Sequence, residues 1–239
     1  VNKADLITLR EENSYEELLS MGVNPKKCFV TADPVFTMDG IGEDESRALL
    51  EAEGVPTDKP IVVVSVRNWK DMDKFIGRFA QMCDTIVEKY DRNIVFLGMQ
   101  MPHDITVSEK VRAKMKQNAY ILKNNHSPYE VMGIISQADF ILSMRLHTLI
   151  FAARKCVPLI GFVYDPKIEY YLEKLDMPSG GSLKEDYCVS LCRSGRARAC
   201  AAGRQGARCR CCRGGTRGIR SGRTCIRRRC ALPRGRRRR

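Results

Sequence analysis

The rhythm of apolar and polar positions changes at Pro60, and beyond it the rhythm is regular. Residues 61–66 read Ile-Val-Val-Val-Ser-Val, a β-branched run of the kind that fills a strand covered on both faces in a parallel sheet. Met72, Phe75, Ile76, Phe79, Cys83 and Ile86 then recur at helical spacing, which predicts a helix over 72–90 with one apolar face. Further strands are predicted at 94–98, 119–122, 140–143 and 157–163, with helices between them at 107–115, 127–138 and 146–154. Ser127-Pro128 starts its helix with a capping hydroxyl followed by a proline preset for the first turn, and Asp165-Pro166 starts a last helix in the same way. Before Pro60 the pattern is shorter. It predicts a strand at 6–9, a helix at 12–21 stopped by Gly22, a strand at 29–32, and an acidic helix at 43–53 closed by Gly54 and Pro56.

Five strands alternating with helices between Ile61 and Val163 predict an α/β fold with a doubly wound parallel sheet, its core within 58–182. In such sheets the ligand lies beyond the carboxyl ends of the strands. The polar residues just past each predicted strand are therefore the candidates. Ser65, Arg67 and Asn68 follow the first of the five; Gly98, Gln100, His103 and Asp104 follow the second. Ser143, Arg145 and His147 come after the 140–143 strand, and Tyr164, Asp165 and Lys167 after the last; Arg10 follows its own strand at 6–9.

So many cationic groups at strand ends suggest an anionic ligand, because Arg fits carboxylate and phosphate bidentately and Lys acts as a point charge. Each has a structural alternative. Arg67 could pair with Asp71 or Asp73, Arg10 could be a solvated charge beside Glu11 and Glu12, Asp165 could be only a helix cap, and His103 and His126 read as loop histidines. Lys167 sits in a first helical turn, against the dipole, which favours anion binding over a structural use. Arg145 and His147 make the sharpest case. They stand where a buried strand becomes an otherwise apolar helix, a position that already attracts anions through unbonded N–H groups.

Composition changes the picture in one place. The 239 residues carry net charge +13, which taken whole suggests a nucleic-acid partner. From Cys188 onward, however, the chain holds eighteen Arg and eight Cys with no Lys, Asp or Glu. Setting that tail aside leaves 23 basic against 28 acidic residues, a body of about −5. The tail has neither helical nor strand period, and its sudden joint excess of Arg, Gly, Ala and Cys reads as out-of-frame translation of a GC-rich gene. Its rival reading is an Arg-rich arm that binds nucleic acid by counterion release. Cys209 and Cys212 form a lone C-x-x-C without a well-spaced partner pair or a histidine, so no zinc site is expected. Cys28, Cys83 and Cys156, in apolar stretches of the body, are expected to act as small hydrophobes in a reducing cytosol. No apolar run is long enough to span a membrane, although peripheral attachment stays open. Val1 leads directly into a strand pattern, so the chain is expected to begin inside a longer protein.

The stretch S-M-R-L-H-T-L-I-F-A-A at 143–153, followed by V-P-L-I-G-F-V-Y-D-P-K at 157–167, resembles the signature of polysaccharide pyruvyl transferases, in particular the cell-wall type linked to S-layer anchoring. I-T-L-R-E-E-N-S-Y-E-E-L-L-S-M-G-V, A-D-P-V-F and F-L-G-M-Q-M-P-H-D resemble the same family, and the likeness runs over about 1–182. The resemblance implies the Rossmann-like C-terminal domain of a GT-B-like two-domain enzyme, with 1–57 an interdomain region and 58–182 catalytic. It implies transfer of an enolpyruvyl group from phosphoenolpyruvate to a sugar or lipid-linked glycan in the bacterial cytoplasm, with no cofactor and no nucleic acid. Arg145 and His147 would hold the donor's phosphate and carboxylate, His147 would also be the acid–base group, and Arg10 and Lys167 would complete the anion site. Arg67 is a further substrate-binding candidate from its place after the first of the five strands. An imidazole suits proton transfer because it titrates near neutrality. A nucleotide-sugar glycosyltransferase is the competing enzyme reading.

Overall fold

The computed structural model describes residues 1 and 3–182, which fall into two compact units, Val1–Met38 and the remainder from Asp39 on. The first unit is a small β-α-β turn of chain. Strand β1 (Ile7–Leu9) pairs in parallel with β2 (Cys28–Val30), and helix α1 (Glu12–Ser20) connects them. Leu18 and Leu19 are half-buried, whereas Met21, which the pattern puts on the same face, caps the helix and is 66 % exposed. Asp33 organises the next stretch of chain: its carboxylate accepts the Val35 N–H at 3.0 Å and caps a 3-10 turn at Pro34–Thr37.

The second unit begins with the acidic helix α2 (Glu43–Ala52) and then builds a six-stranded sheet. Its strands are β3 (Ile61–Ser65), β4 (Asn93–Leu97), β5 (Ala119–Leu122), β6 (Ala138–Ser143), β7 (Leu159–Val163) and β8 (Ser179–Ser182). They lie in the order β5-β4-β3-β6-β7-β8, and every pair is parallel. All five residues of β3 are buried, as expected for a β-branched strand at the centre of a sheet covered on both faces.

The connections are helices α3 (Ile76–Tyr90), α4 (His103–Lys114), α5 (Pro128–Gln137), α6 (Leu146–Arg154) and α7 (Pro166–Leu175). Helix α3 packs on α4, while α5 packs on α6 and α6 on α7. Right-handed crossovers require that division, because the chain steps outward from β3 to β5 and then outward again from β6 to β8 in the opposite direction. The result is the doubly wound sheet that the alternation predicts. Among the described residues no helix is long and apolar enough to cross a membrane. The expectations about the Arg- and Cys-rich segment, both the frameshift and the nucleic-acid arm, concern residues outside those described.

Three differences from the sequence pattern have local causes. β8 has no counterpart among the predicted strands, because Ser-Gly-Gly-Ser carries no apolar side chain to mark it. α4 starts at His103, four residues before the expected 107, since its first turn is His-Asp-Ile-Thr and hides the apolar period. Cys156 is exposed at the end of α6, unlike the buried Cys28 and Cys83.

Candidate functional site

The strand order reverses between β3 and β6, and the crevice at their carboxyl ends is where a doubly wound sheet binds ligands. Ser65 and Ser143, the last residues of these two strands, are register partners and are both buried. They shape the corner beyond them. Ser65 accepts the Met144 N–H on its carbonyl oxygen at 2.8 Å, and the Thr148 hydroxyl approaches the Ser65 hydroxyl at 3.3 Å. Ser143 Oγ accepts the Arg145 N–H at 2.8 Å and donates to the Arg145 carbonyl at 3.0 Å. The turn from β6 into α6 is thereby fixed from both strands.

Arg145 is the N-cap residue of α6, and no side chain caps the helix. The first-turn N–H groups are left open, which with the helix dipole makes a positive end. The Arg145 side chain runs to α4. Its Nε donates to Asp104 Oδ2 at 3.0 Å, and its Nη2 donates to Asp104 Oδ1 and, at 3.1 Å, to Gln100 Oε1. Asp104 is fully buried, and its Oδ2 also accepts the N–H groups of Met99 and Gln100, each at 2.9 Å. Gly98, directly after β4, packs closely here: a Cβ there would meet Met101 Sδ at 3.1 Å and Ile105 Cδ1 at 3.2 Å, both ends of flexible side chains.

His147 is exposed, one residue into α6, with no hydrogen bond or ion pair among the described residues. Lys167 is exposed in the first turn of α7; its backbone N–H donates to the Asp165 carboxylate at 2.9 Å, while its ammonium has no partner among the described residues. Asp165 is therefore the N-cap of α7. Arg67, beyond β3, does not pair with Asp71 or Asp73. Those carboxylates take Lys74 at 2.9 Å and Lys110 at 3.0 Å instead. Arg67 donates through Nη1 to the Tyr164 hydroxyl at 2.6 Å, and its guanidinium carbon lies 5.0 Å from the Tyr164 ring centre and 5.6 Å from that of Trp69. Its Nε is buried without a partner. A cation held on aromatic faces keeps its charge largely uncompensated by carboxylate, which suits it to an anionic ligand.

Arg67, Arg145, His147 and Lys167 thus follow the carboxyl ends of the adjacent strands β3, β6 and β7. Arg10 is in the other unit, Val1–Met38, where its Nη1 pairs with Asp33 at 3.2 Å rather than standing solvated beside Glu11 and Glu12. His103 is the exposed first residue of α4. His126 is no open loop histidine: its imidazole meets the Glu53 carboxylate, and both side chains are buried. Glu53 also accepts the Lys123 N–H at 2.7 Å, so this pair fastens the loop after β5. The sequence pattern places Asp104 among the polar strand-end residues but gives it no partner, and it gives no sign of Trp69. An acid in a helical first turn is the available sign for Asp104. Among the described residues no group of three or more His, Cys, Asp or Glu side chains could hold a metal ion.

Solved structures share this fold. The UDP complex of Staphylococcus aureus MnaA superimposes with a TM-score of 0.63 at 16 % identity, over 83 % of this chain and 54 % of that one. The UDP-GlcNAc 2-epimerase of Methanocaldococcus jannaschii, in complex with UDP-GlcNAc and UDP, gives 0.58 at 17 % identity, over 81 % and 54 %. A glycosyltransferase from Rickettsia africae gives 0.54 at 15 % identity, over 84 % and 54 %. These are GT-B-type proteins; at such identities the likeness is one of fold, and this chain spans about half the length of each. No curated protein matches the chain. The family profile described as polysaccharide pyruvyl transferase matches residues 1–166.

Proposed function

The chain belongs to the polysaccharide pyruvyl transferase family, and from that premise we propose that it moves the pyruvyl unit of phosphoenolpyruvate onto two hydroxyls of a sugar. The observation that carries this reading is the β6–α6 corner, where a carboxylate-bound guanidinium and an exposed imidazole flank the uncapped start of a helix. Phosphoenolpyruvate bears phosphate and carboxylate on one carbon. It calls for several cationic or N–H donors converging within a few ångströms, and a small anionic donor fits such a set better than a sugar nucleotide does.

The transfer balances in atoms and charge. One sugar oxygen bonds to the enol carbon while the methylene carbon takes a proton and becomes a methyl group. The second sugar oxygen bonds to the same carbon as its bond to the phosphate oxygen breaks. Of the two hydroxyl protons, one ends on the methyl group and the other on the departing phosphate. His147 is assigned the proton transfer, Arg145 the planar anionic groups of the donor, and Lys167 and Arg67 the charge that gathers on the leaving phosphate. Arg10, tied to Asp33, enters this reading through the family resemblance alone. Residues 58–182 are the catalytic domain in this account and 1–57 lead into it. A cell-wall glycan, free or lipid-linked, is the proposed acceptor, and the bacterial cytoplasm the proposed site of action.

Arg145→Ala and His147→Ala should each lower kcat/KM by about a thousandfold or more, on the order of 4 kcal/mol of transition-state stabilisation. Phosphate release from phosphoenolpyruvate in the presence of a glycan acceptor measures it. Near-normal turnover in either variant removes that residue from the mechanism. The fold is shared with a glycosyltransferase, so a nucleotide-sugar donor is the competing reading; release of UDP from UDP-N-acetylglucosamine, with phosphoenolpyruvate inert, would favour it.

A further inference from the structure

The geometry points to Asp104 as the positioning residue of the donor site, an acid that sets the orientation of Arg145 and so determines which of its N–H groups meet the anionic ligand. The inference rests on the proposed binding of phosphoenolpyruvate. It adds a residue from a different strand end, 41 positions away in sequence.

A carboxylate without any exposure needs its lone pairs filled, and those of Asp104 are filled from two sides. Met99 and Gln100 donate their backbone N–H groups to Oδ2, so the carboxylate is locked to the turn between β4 and α4. Arg145 then meets it through Nε and Nη2, the side-on, two-point geometry that removes the guanidinium's freedom to rotate. Gln100 Oε1 takes a further Nη2 hydrogen at 3.1 Å. This leaves Nη1, with two N–H groups, making no hydrogen bond among the described residues; unlike Arg67 Nε it is not sealed from solvent without a partner. One end of the guanidinium is committed to the fold and the other is left for a ligand. Asp84 gives the contrast. It is also a buried acid and also accepts two backbone N–H groups, from Lys116 and Gln117, but among the described residues it has no arginine partner and joins two elements.

The arrangement has a consequence opposite in sign to simple charge. Asp104 places a negative group beside the main anion-binding cation, so a role limited to net charge predicts that removing it tightens anion binding. A positioning role predicts that removing it weakens binding, because Arg145 loses its fixed orientation. The direction of the change therefore separates the two.

The test is equilibrium binding of phosphoenolpyruvate to the full chain and to Asp104→Asn, at a temperature well below the melting point of each. Asp139→Asn is the control. Asp139, the second residue of β6, pairs with Arg92 at 2.9 Å at the amino ends of the strands, opposite the site, so its loss perturbs the fold and not the site. The expected result is a dissociation constant raised tenfold or more in Asp104→Asn and unchanged in Asp139→Asn. An unchanged or tighter constant in Asp104→Asn overturns the proposal, as does an equal weakening in both variants. If Asp104→Asn yields no folded protein, Asp104→Glu, which keeps the charge and moves the carboxylate by one methylene, carries the same test: a tenfold or larger rise supports the positioning role and an unchanged constant overturns it. Failure of the unsubstituted chain to bind phosphoenolpyruvate removes the reading on which the proposal rests, and the proposal with it, a result distinct from binding that ignores Asp104.

Discussion

Arg67, Arg145 and Lys167 follow adjacent strands of one sheet, yet their surroundings give them different work. Arg145 is held by a buried acid, and Arg67 lies against the rings of Trp69 and Tyr164 with its Nη1 on the tyrosine hydroxyl. Lys167 is exposed and unpaired among the described residues. A pre-oriented guanidinium loses little freedom on binding, whereas a free lysine must be ordered by its ligand and is screened by salt. Lys167→Ala should therefore raise KM for phosphoenolpyruvate by about tenfold at low ionic strength, and by much less in about 0.5 M salt. The loss in Arg145→Ala should persist at both. Steady-state kinetics at two salt concentrations checks the pair, and equal salt dependence in the two variants would contradict the distinction. The residue types and their spacing make these cations visible as candidates in the sequence, because a strand end in a doubly wound sheet is marked by the polar residues just past an apolar run. Asp104 as the partner of Arg145 is not visible there: that contact joins two strand ends and depends on the sheet order, which alternation alone does not give.

Helix starts show how much short stretches of chain can specify. Ser127 accepts the Glu130 N–H at 3.3 Å, and the Glu130 carboxylate accepts the Ser127 N–H at 2.6 Å, a complete capping box with Pro128 at the first helical position. The hydrogen bonds from Ser127 hold the Glu130 carboxyl below its ordinary value of 4.5. A depressed acid stabilises the folded form above its unfolded pKa, and that contribution is lost as pH falls through the folded value. Glu130→Gln should therefore lower stability at neutral pH and flatten the acid side of the profile below about pH 4.5. Ser127→Ala should cost about 1 kcal/mol at neutral pH. Denaturant unfolding across the acid range up to neutrality measures both. An acid limb identical to that of the unsubstituted chain in Glu130→Gln would show that the cap contributes nothing there. This start is legible in the sequence because capping chemistry lies within four residues. The start of α4 is not, because its first turn has no capping hydroxyl and little apolar content, and β8 is hidden because a strand at the sheet's edge needs little apolar side chain.

For the whole molecule, the alternation of elements is enough to predict a doubly wound parallel sheet, while its order has to come from the structure. The order matters for function. It sets β3 beside β6, brings Ser65 against Ser143, and so builds the corner where Arg145 and His147 begin α6. The fold alone is shared with proteins solved in complex with UDP, and the family model matches from the first residue through Pro166. A shared fold does not choose a ligand. The proposed choice of phosphoenolpyruvate rests on the residues that follow β3, β6 and β7: Arg67, Arg145, His147 and Lys167. Calorimetric titration of the chain with phosphoenolpyruvate, repeated in the presence of saturating UDP-N-acetylglucosamine, tests this most directly. The expected result is saturable binding of phosphoenolpyruvate that is lost in Arg145→Ala and little affected by the nucleotide sugar. Binding of UDP-N-acetylglucosamine alone, with no heat from phosphoenolpyruvate, would contradict it.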